Sequence, residues 1–142
     1  MKSKLFLPSQ FVPTQWNTAE DKAKLANHFI DFVESDFAQS KFPKWFYNRL
    51  SNCFGNIAHF NAGGFYSTFF ENTRSKVEFI SQCLNHGDYG SPAFTYCDVE
   101  YVLKQWLRDN DILGKYYSKL EEETNKRDLS EYQRLKNKFE HV

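Results

Sequence analysis

The chain has 142 residues, 18 basic and 18 acidic side chains, and an aromatic share of 18%. A net charge of zero argues against a global electrostatic attraction to nucleic acid or anionic membranes, and the many rings argue against disorder because they bury large areas. Three cysteines, an odd number without a Cys-x-x-Cys pair, indicate neither a disulfide framework nor a zinc knuckle, so reduced thiols in a cytoplasmic protein are expected.

Phenylalanine is concentrated in one stretch, because ten of the fifteen lie between Phe29 and Phe70. A segment this rich in rings must bury most of them or aggregate. We therefore expect an all-α fold, with residues 17–142 forming a single compact domain of five or six helices around a Phe-rich core.

Residues 1–16 are predicted to form an extended apolar arm that packs on the domain. Pro8 and Pro13 are incompatible with a regular helix there. The apolar run of the arm is interrupted by Pro8 and Gln10 before it reaches the length of a signal peptide. No stretch has the length and apolarity of a membrane span, so no membrane partner is expected.

Two helices are predicted in the first half of the domain. Asn17 is a candidate N-cap, Glu20 completes a capping box, and the helix is expected to end near Gln39. Pro43 suits the first turn of the second helix. The second helix carries its apolar residues at helical spacing, at Phe46, Leu50, Cys53, Phe54 and Ile57.

The segment 56–70 gives mixed signals. Asn61-Ala62-Gly63-Gly64 is a turn signal, and short aromatic runs lie on both sides of it. We expect irregular structure there with at most one small β-hairpin near residues 57–70, while a loop between helices fits almost as well.

The second half is predicted to hold the remaining helices. One begins near Thr73 and stops at Gly87, the next is capped by Thr95, and the last opens at Asp111. The apolar stripe of the last helix changes register after residue 127, so a kink or short break is expected near 125–130. Its second stripe is formed by Leu129, Tyr132, Leu135 and Phe139.

The segment 41–49 interleaves cations with rings, as single-strand-binding surfaces do. Its candidate nucleic-acid-binding residues are Lys41, Lys44, Trp45, Tyr47 and Arg49. An amphipathic helix with Phe46 and Leu50 in the core explains the same pattern. The loop 87–96 offers Tyr89 and Phe94 as further binding residues, although a proline-bearing connector fits it equally well.

A catalytic site would draw on loop residues around the third predicted helix. His59, Tyr66 and Asp88 are weak candidates, since a histidine and a carboxylate that meet can perform acid–base chemistry. No phosphate-loop, dinucleotide-binding or hydrolase motif is present. A metal site would need His59, His86 and carboxylates to converge, which the sequence does not indicate, so neither a cofactor nor a metal is predicted.

Three functional classes remain. The favoured one is a non-catalytic interaction protein, a regulator or inhibitor that binds a protein partner or itself, because catalytic signatures are absent and exposed rings are expected. The second is a nucleic-acid-binding protein that uses the segment 41–49. The third is a small enzyme built on His59, Tyr66 and Asp88.

Overall fold

The computed structural model describes residues 6–54, 61–87 and 90–140, and within them the chain forms helices and no strand. The six α-helices are α1 (Ala19–Glu34), α2 (Lys44–Cys53), α3 (Ala62–Phe69), α4 (Thr73–Asn85), α5 (Cys97–Asp109) and α6 (Ile112–Glu140). Short 3₁₀ turns at Pro8–Gln10 and Gln39–Lys41 precede α1 and α2. The predicted all-α domain of five or six helices around an aromatic core is confirmed.

The first helix begins one residue later than predicted. Thr18, not Asn17, is the N-cap, and its hydroxyl accepts from the backbone N–H of Asp21 at 3.1 Å. The Asp21 carboxylate accepts from the Thr18 N–H at 3.1 Å in return. The capping box therefore uses Asp21 in place of the expected Glu20.

The end of α1 is a strained corner. Asp36 and Phe37 have left-handed φ values of 59° and 57°, which terminate the helix before the expected Gln39. Phe37 is buried, while Asp36 accepts from Tyr116 on α6 at 2.6 Å and from Lys76 on α4 at 3.2 Å. Left-handed backbone in two consecutive non-glycine residues persists only where tertiary contacts hold it.

Phe70 lies at the centre of the core. Its ring stacks on Phe37 at a centroid distance of 5.2 Å and meets Phe32 edge-on at 5.0 Å and Phe79 at 4.8 Å. These rings come from the segments around α1, α3 and α4, so this one cluster joins three parts of the chain. Edge-to-face geometry of this kind adds attraction beyond the buried area.

The possible hairpin near residues 57–70 is not formed, because residues 62–69 are the helix α3. Residues 57–60 lie outside the described part of the chain. Asn61 caps α3 by accepting from the Gly64 N–H at 2.7 Å, and Phe65 and Phe69, one turn apart, are buried. Both glycines fall in the first turn, where the cost of glycine is smallest, and burial of two rings outweighs it.

The expected break near residues 125–130 is also absent, since α6 runs without interruption from Ile112 to Glu140. No glycine or proline follows Gly114, and Glu122–Lys126 and Glu123–Arg127 have the spacing that supports a helix. The apolar stripe of α6 shifts to another side of the helix after residue 127 because the helix extends beyond the domain there and no longer packs on it. Ile112 is buried, whereas every residue from 125 to 139 is exposed.

The helices pack as a bundle with α1 inside. α1 contacts α2, α5 and the 3₁₀ turn Pro8–Gln10, while α4 packs against α3, α5 and α6. The side chain of Asn27 forms two hydrogen bonds with the backbone of Phe6. Its amide oxygen accepts from the Phe6 N–H at 2.8 Å, and its amide nitrogen donates to the Phe6 carbonyl at 3.0 Å. Phe11 is buried beside α1, whereas Trp16 is exposed. None of the described helices has the length and apolarity to cross a membrane.

Candidate functional site

A cleft opens where the N-terminal segment, α2 and the turn before α5 meet. We call it the aromatic cleft; its volume is about 550 Å³. It is lined by Thr14, Trp16, Asn17, Arg49, Asn52, Phe94, Thr95 and Tyr96. Two of the residues that the sequence singles out, Arg49 and Phe94, therefore lie in one site although 45 positions separate them.

Trp16 is held at the cleft by a local turn. The Thr14 hydroxyl accepts from the N–H groups of Trp16 at 3.1 Å and Asn17 at 2.9 Å, and the Thr14 N–H donates to the Asn17 carbonyl at 2.8 Å. This turn fixes the backbone while the indole stays 71% exposed. An indole fixed on a rigid turn in water is suited to contact a ligand, because little freedom is lost on binding.

The opposite wall is held by a buried lysine. Lys22 of α1 is fully buried, and its ammonium donates to the carbonyls of Pro92 and Thr95, both at 2.9 Å, and to the Asp98 carboxylate at 2.8 Å. All three ammonium hydrogens are thus used. The contacts anchor the turn that carries Phe94, whose ring stays 68% exposed. The sequence places Lys22 on a polar face of the helix and gives no sign of this role.

Tyr96 contributes an unpaired hydroxyl. The residue is 3% exposed, and its buried hydroxyl has no hydrogen-bond partner among the described residues. Burial raises the pKa of Tyr96 to about 12, although the nearby positive charge of Arg49 acts in the opposite direction. The phenol is therefore protonated at neutral pH and can donate a hydrogen bond. A buried polar group without a partner destabilises the protein unless something else satisfies it.

The predicted basic and aromatic segment is divided between two environments. Lys44 is exposed, and Trp45 and Arg49 are half-buried on the outer side of α2. Trp45 packs against His28 at 4.8 Å, and the Lys24 ammonium lies 4.3 Å from its ring centroid. This ring is already covered by protein.

The other two residues of that segment do not join Arg49. Tyr47 is 6% exposed and packs against Phe42 in the core, so the structure does not place it on the outer side of α2. The Lys41 side chain is exposed, and its carbonyl lies 2.7 Å from Nε2 of His28.

The described part of the chain contains only one of the three predicted catalytic candidates, Tyr66. His59, Asp88 and the binding candidate Tyr89 lie outside it. The Tyr66 hydroxyl donates to the carbonyl of Phe37 at 2.7 Å, and burial raises the pKa of Tyr66. A phenol with a raised pKa and a backbone partner stabilises the corner after α1 and is not poised for proton transfer at neutral pH.

A charged cluster formed by His86, Glu100 and Lys104 lies between α4 and α5. Glu100 is 3% exposed, with Oε1 at 2.9 Å from Nδ1 of His86 and Oε2 at 3.4 Å from the Lys104 ammonium. The same ammonium donates to the His86 carbonyl at the end of α4. The four-residue spacing of Glu100 and Lys104 is the feature of the sequence that indicates an ion pair here. Its contacts join two helix ends, and within the described residues no three metal-ligating side chains converge.

A second exposed surface lies on the outer part of α6. It is formed by four apolar side chains that are 39% to 70% exposed, and we call it the projecting face: Leu129, Tyr132, Leu135 and Phe139. At 3.6 residues per turn they lie along one side of the helix, about a third of a turn from the side that packs on the domain. Tyr117, exposed by 53%, lies on the same side nearer to the domain.

Comparison with known proteins gives no guide to either surface: no protein-family model, curated protein or solved structure matches this chain.

Proposed function

We propose that this protein acts by binding proteins and not by catalysis, and that its projecting face docks on a second copy of the chain. The observation that supports this proposal is the exposed row of Leu129, Tyr132, Leu135 and Phe139 on a helix that has left the domain. Grouped aromatic and aliphatic side chains on a surface are characteristic of interaction sites.

The outer part of α6 has little support from the domain. The Thr73 hydroxyl on α4 donates to the Glu123 carboxylate at 2.8 Å, whereas residues 125–139 beyond this contact are all exposed. These fifteen residues extend for about 22 Å. Helices in proteins draw most of their stability from packing an amphipathic side, so a docked partner supplies what the domain does not.

The charges along α6 favour a second copy in antiparallel orientation. Glu121, Glu122 and Glu123 precede the projecting face, and Arg134, Lys136 and Lys138 lie in its outer half. Glu122 and Lys136 are each seven residues, or about two turns, from Leu129. A two-fold axis at Leu129 would therefore set Glu122 of each copy opposite Lys136 of the other.

The same axis also brings apolar groups together. Leu129 meets its own counterpart at the axis, and Tyr117 of one copy comes within a turn of Phe139 of the other. Burial of such side chains contributes about 25 cal/mol per Å² of apolar surface removed from water. A symmetric pairing of one surface with itself is the commonest form of protein dimer.

Sedimentation velocity over a range of protein concentrations tests the proposal. The wild type should sediment as a dimer, and Tyr132→Lys/Phe139→Lys should sediment as a monomer. The matched control is Ser130→Lys/Asn137→Lys, which adds the same charge to exposed positions on the opposite side of α6 and should remain dimeric. A wild type that stays monomeric at the highest concentration, or a control that dissociates as fully as the test variant, contradicts the proposal.

A further inference from the structure

We propose that the aromatic cleft is a binding site for a nucleotide, meaning a planar base that carries a phosphate, either free or within a single strand. The site lies on α2 and the segments before α1 and α5, away from α6, and the inference does not depend on self-association. It rests on three features of residues that line the cleft: two exposed rings, a guanidinium without an ion-pair partner in the described part of the chain, and a buried hydroxyl without a hydrogen-bond partner there.

The two rings are suited to stack on a base. Trp16 and Phe94 are 71% and 68% exposed, and both line the cleft. Each is carried by a backbone held from behind, Trp16 by the Thr14 turn and Phe94 by the carbonyl contacts of Lys22. Neither ring packs on another ring of the described chain, unlike Trp45. Stacking on rigid aromatic side chains is the usual way in which proteins hold unpaired bases.

Arg49 supplies the charge that a phosphate requires. It is half-buried and is the one cationic side chain among the described residues that line the cleft. No carboxylate of the described residues forms an ion pair with it. A planar guanidinium presents parallel N–H groups that match two phosphate oxygens, and its partial burial strengthens that contact.

Tyr96 and Asn52 supply polar groups that can read the edge of a base. The Tyr96 hydroxyl is buried and has no hydrogen-bond partner in the described part of the chain, which destabilises the free protein, and a ligand atom that reached it from the cleft would supply the missing hydrogen bond. The Asn52 side chain is exposed at the same cleft and carries both a donor and an acceptor. This unpaired hydroxyl distinguishes the cleft from an ordinary surface depression.

The size and charge of the cleft limit the ligand. A volume of about 550 Å³ lies within the range of small-molecule sites, roughly 300 to 1,000 Å³. One arginine pairs with one phosphate, so a long basic groove is not needed and the zero net charge of the chain is no obstacle. For one phosphate the logarithm of affinity should fall against the logarithm of salt concentration with a slope of about −0.7.

Isothermal titration calorimetry of the full chain tests the proposal. The probes are AMP, UMP, a deca-deoxythymidylate, a decauridylate and inorganic phosphate. Binding of a mononucleotide as tight as that of the oligonucleotides identifies a free nucleotide as the ligand, and oligonucleotide binding about tenfold tighter or more identifies a strand. Inorganic phosphate should bind far more weakly than either. Absence of heat with every nucleotide and oligonucleotide overturns the proposal.

Variants locate the binding. Trp16→Ala should weaken it by about tenfold or more through lost stacking, and Arg49→Gln should weaken it and abolish the salt dependence. The controls are Tyr101→Ala and Arg108→Gln, which alter an exposed ring and an exposed guanidinium on α5, outside the cleft, and should bind as the wild type does. Equal losses in test and control variants would contradict the site.

Tyr96→Phe separates a ligand-binding hydroxyl from a merely unsatisfied one. Removing the hydroxyl takes an unpaired polar group out of the interior, so the free protein should melt at the same or a higher temperature. The same substitution should weaken nucleotide binding by several-fold. A variant that is more stable and binds with unchanged affinity shows that the hydroxyl faces no ligand and removes it from the proposed site.

Discussion

The hydroxyl of Tyr116 donates a 2.6 Å hydrogen bond to the carboxylate of Asp36, 80 positions earlier in the chain. Asp36 is one of the two left-handed residues that end α1, and it also receives the ammonium groups of Lys76 at 3.2 Å and Lys119 at 3.3 Å. The corner after α1 is therefore held by side chains of α4 and α6, which explains how a strained backbone persists beside the buried Phe37.

This corner should make stability depend on acid. Partial burial of Asp36 acts to raise its pKa, but the hydrogen bonds from Tyr116 and Lys76 and the charges of Lys76 and Lys119 outweigh it and hold the pKa below the usual 3.8. A carboxyl whose pKa is lower in the folded state stabilises the protein above the pKa of the unfolded state. That contribution is lost as the pH falls through the folded pKa.

Asp36→Asn tests this dependence, because asparagine tolerates the same left-handed backbone but carries no charge. The variant should be less stable than the wild type by up to about 1 kcal/mol at neutral pH, since the carboxylate is half-exposed and screened. The difference should begin to shrink as the pH approaches the ordinary carboxyl pKa of 3.8 and should disappear only below the lower folded pKa, and urea unfolding of both proteins across a pH series measures it. A difference that stays constant down to the lowest pH would assign the effect to packing.

Lys22 is expected to be the most sensitive charged residue of the chain. Lys22→Met keeps the apolar stem but removes the ammonium that donates to the carbonyls of Pro92 and Thr95 and neutralises the Asp98 carboxylate, which keeps only its backbone N–H donors. Removing one partner of a buried ion pair typically costs about 3–5 kcal/mol.

The matched control for this substitution is Lys24→Met, two residues away, whose ammonium is exposed over Trp45. Its effect should stay within about 1 kcal/mol, the usual range for an exposed contact of this kind. Thermal melting compares the two variants. Similar losses in both would mean that Lys22 contributes through its stem and not through its three hydrogen bonds.

Phe70→Ala should test whether the aromatic core behaves as one unit. The residue is 3% exposed and contacts rings from the segments around α1, α3 and α4. Deleting a buried ring typically costs about 3–5 kcal/mol, because contacts are lost and a cavity remains. Phe94→Ala removes an exposed ring and should change the free energy of unfolding by less than about 0.5 kcal/mol in chemical denaturation.

Local sequence patterns predict the helices of this protein well and its sites poorly. The apolar spacing around Phe29 and the capping residues locate α1 to within one residue at its start, because both are local properties. The Gly63-Gly64 signal fails at α3, since the burial of Phe65 and Phe69 depends on helices elsewhere in the chain. Local preference is overridden wherever tertiary packing is strong.

The sites depend on contacts that no local pattern records. Lys22 looks like a solvated residue until the carbonyls more than 70 positions away are placed around it. The cleft draws on three separate segments, which supply Trp16, Arg49 and Phe94. The sequence predicts Arg49 and Phe94 as binding residues but does not indicate that they lie in one site. The outer stripe of α6 is visible in the sequence, but only the path of the helix shows that it leaves the domain.

A charge exchange gives the sharpest test of the proposed antiparallel pairing. Glu122→Lys should weaken the dimer, because the two-fold axis at Leu129 sets each new lysine against Lys136 of the other copy. Two symmetric pairs change from attraction to repulsion at exposed positions, which corresponds to about a tenfold weaker association.

Adding Lys136→Glu restores opposite charges at both pairs and should return the dissociation constant to nearly that of the wild type in sedimentation experiments. Ser130→Lys with Lys136→Glu places the substituted lysine on a side of α6 away from the predicted pair and should show no such recovery over Lys136→Glu alone. If the double exchange associates no better than Glu122→Lys, the register at Leu129 is wrong, whatever the oligomeric state.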